Sequence, residues 1–170
     1  ANGFVISEDG TVVTDSGAVS EEATYIIKLA DGTTFDAKAA FQDEERGVAF
    51  LKPVKPLEKK TLAVEWGDSD SVRLGGMAIV IGGSDQVAVN VGVISGFQSA
   101  KRTIKKDDTE TEVEYRSGMT LSVPVSAGSI VLSGNGTAIG MGIGSDTKTF
   151  VAPSNVIKDL IGSIPSPKTE

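Results

Sequence analysis

The sequence predicts an all-β protein built from two antiparallel units and closed by one short helix. Three observations carry that expectation. Apolar residues alternate with polar ones in short runs of period 2, and the runs are separated by Asp-Gly, Gly-Asn-Gly and Pro signals. Only one segment, at the C-terminal end, shows apolar residues at helical spacing. At 170 residues the chain is long enough to bury a core of ordinary size.

The elements follow in order. Residues 3–7 and 11–14 flank Glu8-Asp9-Gly10, a hairpin with an Asp-Gly turn. Residues 24–29 and 34–41 flank Asp31-Gly32 in the same manner, and residues 48–51 form a short apolar strand. The stretch 52–60 holds two prolines and four lysines, which makes it a connector. Strands are then expected at 62–66, 77–81, 87–93, 119–123, 129–132, 138–143 and 148–152, with Gly134-Asn135-Gly136 as a tight turn. Between them, residues 101–116 carry five basic and five acidic side chains and read as an exposed hairpin with its tip near Lys106. After Pro153, Ser154 is the expected N-cap of a helix whose Val156, Ile157, Leu160, Ile161 and Ile164 form one stripe against the second unit. Gly162 and Pro165 end it. One domain over 1–164 is expected, with the first barrel at about 1–54, the second at about 62–152, the helix at 154–164 and a linker or tail at 165–170.

Composition removes several functions. There is no cysteine, hence no disulfide, thiolate zinc site or cysteine nucleophile. There is no histidine, which excludes an imidazole base supplied by this chain and the commonest metal ligand. With 23 acidic against 16 basic residues the net charge is −7, unsuited to nucleic acid. Apolar runs are too short to insert in a bilayer as a helix, and no signal peptide is visible.

Five segments, in order, carry a family resemblance. They are residues 3–10 (GFVISEDG), 29–38 (LADGTTFDAK), 67–75 (GDSDSVRLG), 91–96 (VGVISG) and 152–160 (APSNVIKDL). Together they resemble the protease domain of the HtrA/Deg serine protease family. The resemblance implies two antiparallel chymotrypsin-like β-barrels with a short C-terminal helix, and an extracytoplasmic setting. The family's strand before the first hairpin and its C-terminal PDZ domain have no counterpart in the sequence.

The resemblance also implies where a Ser-His-Asp triad would stand. Thr14-Asp15-Ser16-Gly17 matches the family's Thr-Asn-Asn-His, so Gly17 takes the position of the base. Gly47 precedes Val48-Ala49-Phe50-Leu51-Lys52 where the family has its aspartate. Val125-Ser126-Ala127-Gly128 matches Gly-Asn-Ser-Gly, so Ala127 replaces the nucleophile and Val125 a glycine of the oxyanion loop. A β-branched residue resists the conformations that turn N–H groups toward a developing oxyanion. One inactivating substitution would explain Ala127 alone, but not the four positions together. The degenerate loop Val125, Ser126 and Ala127 and the vestigial positions Gly17, Gly47 and Ala127 predict a pseudoprotease rather than an enzyme.

Other candidates are weaker. Ser126 or Ser129 with Lys52 or Lys101 would make a relocated dyad only if a base lay within hydrogen-bond reach. Asp68-Ser69-Asp70 has part of a calcium-loop spacing without the later ligands, so turn capping is expected and no metal or cofactor is. Asp43-Glu44-Glu45 and Glu21-Glu22 read as solvated turns. The glycine-rich 134–136 and 140–144 lack the strand-to-helix context of a nucleotide loop. Trp66 is the one aromatic residue suspected of surface contact, with core packing the preferred reading. The expectation is a binding, scaffolding or sensory module, the ectodomain of a larger membrane-anchored signalling protein such as an anti-sigma regulator, with an unidentified protein or peptide partner. The alternatives are peptide binding in the vestigial cleft, or weak hydrolysis by a relocated serine.

Overall fold

The computed structural model describes residues 1–83, 86–106, 109–144 and 150–165. Eleven strands and one α-helix are present among them. The first unit holds β1 (Gly3–Val5), β2 (Val12–Asp15), β3 (Thr24–Lys28), β4 (Thr34–Asp43) and β5 (Val48–Pro53). They form a curled antiparallel sheet in the order β1-β2-β5-β4-β3. A short 3-10 turn, Ser16–Ala18, follows β2. Both Asp-Gly turns are realised, with Gly10 and Gly32 at φ +87°.

The second unit holds β6 (Met77–Gly82), β7 (Ala88–Lys106), β8 (Thr109–Leu121), β9 (Ile130–Ser133), β10 (Ala138–Ile143) and β11 (Phe150–Pro153). It closes into a barrel in the order β10-β11-β8-β7-β6-β9. The fold is therefore the expected all-β, two-barrel kind. β7 and β8 run on past the barrel as a long hairpin, in register from Ile94 with Leu121 to Lys106 with Thr109. The tip residues Asp107 and Asp108 lie outside the described residues, as do Lys148 and Thr149 and the tail from Ser166.

Three apolar clusters explain the layering. One fills the barrel of the second unit with Val80, Ile94, Met119, Val131, Ile139 and Val151. A smaller one, Val12, Ala37 and Leu51, lies within the first unit. The third joins everything: Phe4, Val13, Val48 and Phe50 of the first unit meet Met141 and Ala152 of the second and Ile157 and Leu160 of the helix. Alternation along β2 and β5 makes this possible, because successive side chains serve opposite faces. Trp66 packs at this junction, edge-on to Phe4 with ring centroids 6.0 Å apart.

Two local expectations are corrected. Residues 62–66 are not a strand. Val64 N–H donates to Val5 O at 3.1 Å and Ala138 N–H to Glu65 O at 2.7 Å, so the segment bridges both units and cannot pair with one. Only Trp66 makes a bridge, parallel to Ala138. Ser154 does not cap the helix α1 (Ser154–Ile161): it is the first helical residue, Pro153 holds the cap position, and no side chain caps there. The buried Ser154 hydroxyl donates instead to Gly67 O at 2.9 Å. Burial at the junction gives that hydroxyl a tertiary partner in place of a local one. The apolar stripe lies on β10 and β11, as expected, and also reaches the first unit.

Candidate functional site

β2 ends in Asp15, whose extended backbone (φ −66°, ψ 133°) turns the chain into the 3-10 turn. An Asp at this position is a strong N-cap. Its Oδ2 accepts the Gly17 N–H at 3.0 Å. Its Oδ1 reaches across the molecule and accepts the Gly144 N–H, also at 3.0 Å. Asp15 is 8% exposed and is the one charged residue in the buried set among the described residues. A Cβ on Gly17 would stand 2.9 Å from its carboxylate, so the glycine leaves room for this arrangement.

Gly47 lies beside this turn. Its carbonyl accepts the Ser16 N–H at 3.0 Å, and the pairing of Asp15 with Val48 holds the two chains in register. Gly47 has φ +70°, and a Cβ there would press on the Ile143 side chain at 3.2 Å. Gly17 and Gly47 are thus neighbours, facing the end of β10.

Ala127 sits in the turn between β8 and β9, where Ser129 N–H donates to Ser126 O at 3.1 Å. Gly128 follows with φ +76°; its N–H donates to Gly142 O at 2.7 Å, and any Cβ there would collide with the carbonyl oxygen of Asn2. Only glycine meets both demands at this position. Asn2 pins the loop further: its Nδ2 donates to Ala127 O at 3.2 Å, and its Oδ1 accepts the Gly83 N–H at 3.1 Å.

The structure therefore brings Gly17 and Gly47 side by side, and Ala127 to the same strand end through Gly142, Ile143 and Gly144. None of the three contributes a side-chain polar group. Val125 is 7% exposed and belongs to the barrel core, which accounts for an apolar residue there. Ser126 is exposed. Ser129 is 1% exposed, and its Oγ is the one buried side-chain polar atom without a partner among the described residues. It points toward Gly82, where a Cβ would overlap it.

The structure does not assemble a serine–lysine dyad. Lys101 lies on the β7–β8 hairpin in an exposed ion pair with Glu112 at 3.5 Å. Lys52 pairs opposite Lys38, and it lies four positions along β5, about 13 Å of strand, from Val48 at the site. Asp68 caps its own turn: its carboxylate accepts the Asp70 N–H at 3.0 Å and the Asn155 amide at 2.7 Å. The hydrogen bond from Asn155, then that from Asp70, hold its pKa below 3.8. No group of three metal-ligating side chains occurs among the described residues.

Two depressions, of about 940 and 240 Å³, lie between β1 and β3 and beneath the connector after β5. Neither is lined by Gly17, Gly47 or Ala127. Asp15 and Asn2 are the residues that sequence reasoning passed over. Asp15 carried a signal, an Asp in N-cap position before Ser-Gly; Asn2 carried none.

Comparison with known proteins gives a family and relatives. The trypsin-like peptidase domain family matches residues 1–141. A probable periplasmic serine endoprotease DegP-like of Brucella suis is 39% identical over 100 residues, covering 59% of this chain and 19% of that protein. Serine protease HTRA1B of Danio rerio is 29% identical over 167 residues, covering 94% of the chain and 34% of the relative. Periplasmic serine endoprotease DegP of Escherichia coli K12 is 27% identical over 169 residues, with the same coverage of 94% and 34%. The chain spans about a fifth to a third of the length of these relatives. The periplasmic names of the two DegP relatives fit an extracytoplasmic location. No helix among the described residues is long and apolar enough to cross a membrane.

The expectation of a non-enzyme is corrected by these relatives. They are named serine endoproteases or, for the Danio rerio relative, a serine protease, which points to protease activity and not to a pseudoprotease. Three side chains missing from matched positions do not empty a site of chemistry, and a buried, unpartnered serine hydroxyl stands two residues from Ala127.

Proposed function

Because this chain belongs to the trypsin-like peptidase family, as a domain of the HtrA/DegP kind, we propose that it engages extended polypeptide where its two units meet. On this reading Gly17, Gly47 and Ala127 occupy the positions of base, orienting carboxylate and nucleophile. The observation that supports it is the retained construction of the place. Hydrogen bonds from Ser16 to Gly47, from Gly144 to Asp15 and from Gly128 to Gly142 hold three loops together around Gly17, Gly47 and Ala127. Strand addition needs only main-chain groups of an extended segment, and so does not depend on side chains at positions 17, 47 and 127. The wider setting is an extracytoplasmic, membrane-anchored protein in which this domain scaffolds or senses, as in an anti-sigma regulator. The periplasmic names of relatives support the compartment.

Fluorescence anisotropy of a labelled unstructured peptide tests the reading. Saturable binding that is weakened by Ser126→Trp, a bulky change at an exposed position, is expected. Binding that ignores this substitution places the peptide elsewhere.

A second reading, hydrolysis through a serine near Ala127, is favoured by the endoprotease names and by the unpartnered Ser129 hydroxyl. The chain supplies no imidazole, so such a step uses another base. Labelling by a fluorophosphonate probe that disappears in Ser129→Ala or Ser126→Ala supports it; no labelling and no casein turnover contradict it.

A further inference from the structure

The turn between β9 and β10 carries a reactive pair of residues that neither the core nor the candidate site uses. The chain holds four asparagines, and two of them, Asn2 and Asn135, are followed by glycine. In an Asn-Gly step the next main-chain nitrogen reaches the side-chain amide carbon most easily, because glycine sets no side chain beside the attacking atom. Asn90 and Asn155 are each followed by valine, whose branched Cβ crowds that approach.

The structure sets the two Asn-Gly steps apart. The Asn2 amide is tied at both ends: Nδ2 donates to Ala127 O at 3.2 Å, and Oδ1 accepts the Gly83 N–H at 3.1 Å. Gly3 is held in β1 opposite Thr14. Asn135 stands instead in a turn whose residues 134–136 are all exposed. Its Oδ1 accepts the hydroxyl groups of Ser133 and, at 3.1 Å, of Thr137. Hydroxyl donors on a carbonyl oxygen draw electrons from Cγ and stabilise the negative charge that gathers on Oδ1 under attack. Gly136, at φ +87°, has open space beside it: a Cβ there would meet nothing within 4 Å. Its N–H donates to Ser133 O at 2.9 Å, so attack waits on a local opening of this surface turn.

We propose that Asn135 is a site of spontaneous deamidation, converted through a cyclic imide to aspartate and isoaspartate. The Gly136 nitrogen gives its proton to hydroxide and bonds to Asn135 Cγ. The Cγ–Nδ2 bond then breaks, and Nδ2 leaves as ammonia after taking a proton from water. Water opens the imide at either carbonyl, and nothing is oxidised or reduced. One opening leaves aspartate at 135. The other leaves isoaspartate, with the main chain rerouted through the former side chain and lengthened by a carbon. Both products add a negative charge to the turn, and the isoaspartyl form breaks the fit of a turn closed by the Ser133 N–H on Thr137 O at 2.9 Å.

Peptide-mapping mass spectrometry of the full chain tests this, with the protein aged folded in neutral buffer and, in parallel, unfolded in guanidinium. Isoaspartate is read by methyl transfer from an isoaspartyl methyltransferase. In the folded chain, conversion at Asn135 is expected several-fold ahead of Asn2, with Asn90 and Asn155 intact. In guanidinium the two Asn-Gly steps are expected to convert alike. Thr137→Val removes one hydroxyl at nearly constant shape and is expected to slow Asn135 several-fold, circular dichroism establishing that the variant is folded. An Asn135 that keeps its amide in the folded chain while it converts in guanidinium overturns the proposal, as does an Asn2 that converts as fast. A folded Thr137→Val that ages at the wild-type rate overturns the role given to the hydroxyls. The wild-type comparison needs no variant, so a Thr137→Val that fails to fold leaves both decisive results in place.

Discussion

At Asp15 a single side chain holds together what lies on either side of it. Its two oxygens accept N–H groups from the turn at Gly17 and from Gly144 across the molecule, and both bonds are charge-assisted in a half-dry setting. Asp15→Ala orphans both donors and is expected to cost about 2–4 kcal/mol in a urea melt. Asp15→Asn keeps an acceptor and should cost less. A pH effect belongs at Asp68, whose pKa is held below 3.8 mainly by the Asn155 amide. The depressed folded value means that its contribution is complete above pH 3.8 and is lost as pH falls through the folded pKa. Asn155→Ala is expected to move the Asp68 titration up toward 3.8, as read by carboxyl NMR shifts. An unmoved titration would mean that the hydrogen bond does not act as described.

The helix and the connector show what period and propensity reveal about an element and what they miss. Strands β1–β5 and β10 were legible because alternation and Asp-Gly turns are local properties. The stretch 62–66 alternates just as well, yet its partners are Val5 on one side and Ala138 on the other, a tertiary fact that no window of sequence contains. Ser154 likewise has N-cap chemistry but finds Gly67 O once the helix docks. Ser154→Ala is therefore expected to cost about 1 kcal/mol through a tertiary bond, with helix content unchanged by circular dichroism. Leu160→Ala removes a buried side chain of the cluster that joins the two units and should cost about 2–5 kcal/mol.

At the scale of the whole molecule, one apolar cluster spans first unit, second unit and helix. Unfolding is therefore expected to be a single transition, with Trp66 fluorescence at the junction and far-UV dichroism following the same urea curve. Two separated transitions would show that the units are stable independently. The site was legible to a similar degree. The resemblance points to Gly17, Gly47 and Ala127, and in the structure Gly17 and Gly47 are neighbours while Gly128, next to Ala127, bonds to Gly142 at the same strand end. The residues that build the place, Asn2 and Asp15, act over separations of 125 and 129 positions, which sequence periodicity does not report. The non-enzyme expectation is overturned by relatives named serine endoprotease and serine protease, because it read only the side chains at a few matched positions. The most direct test of the account is a chemical-shift titration of the labelled chain with an unstructured peptide. Saturable shifts centred on Gly17, Gly47, Ala127 and Gly142 are expected; shifts absent from these residues, or confined to the groove between β1 and β3, would contradict peptide binding where the two units meet.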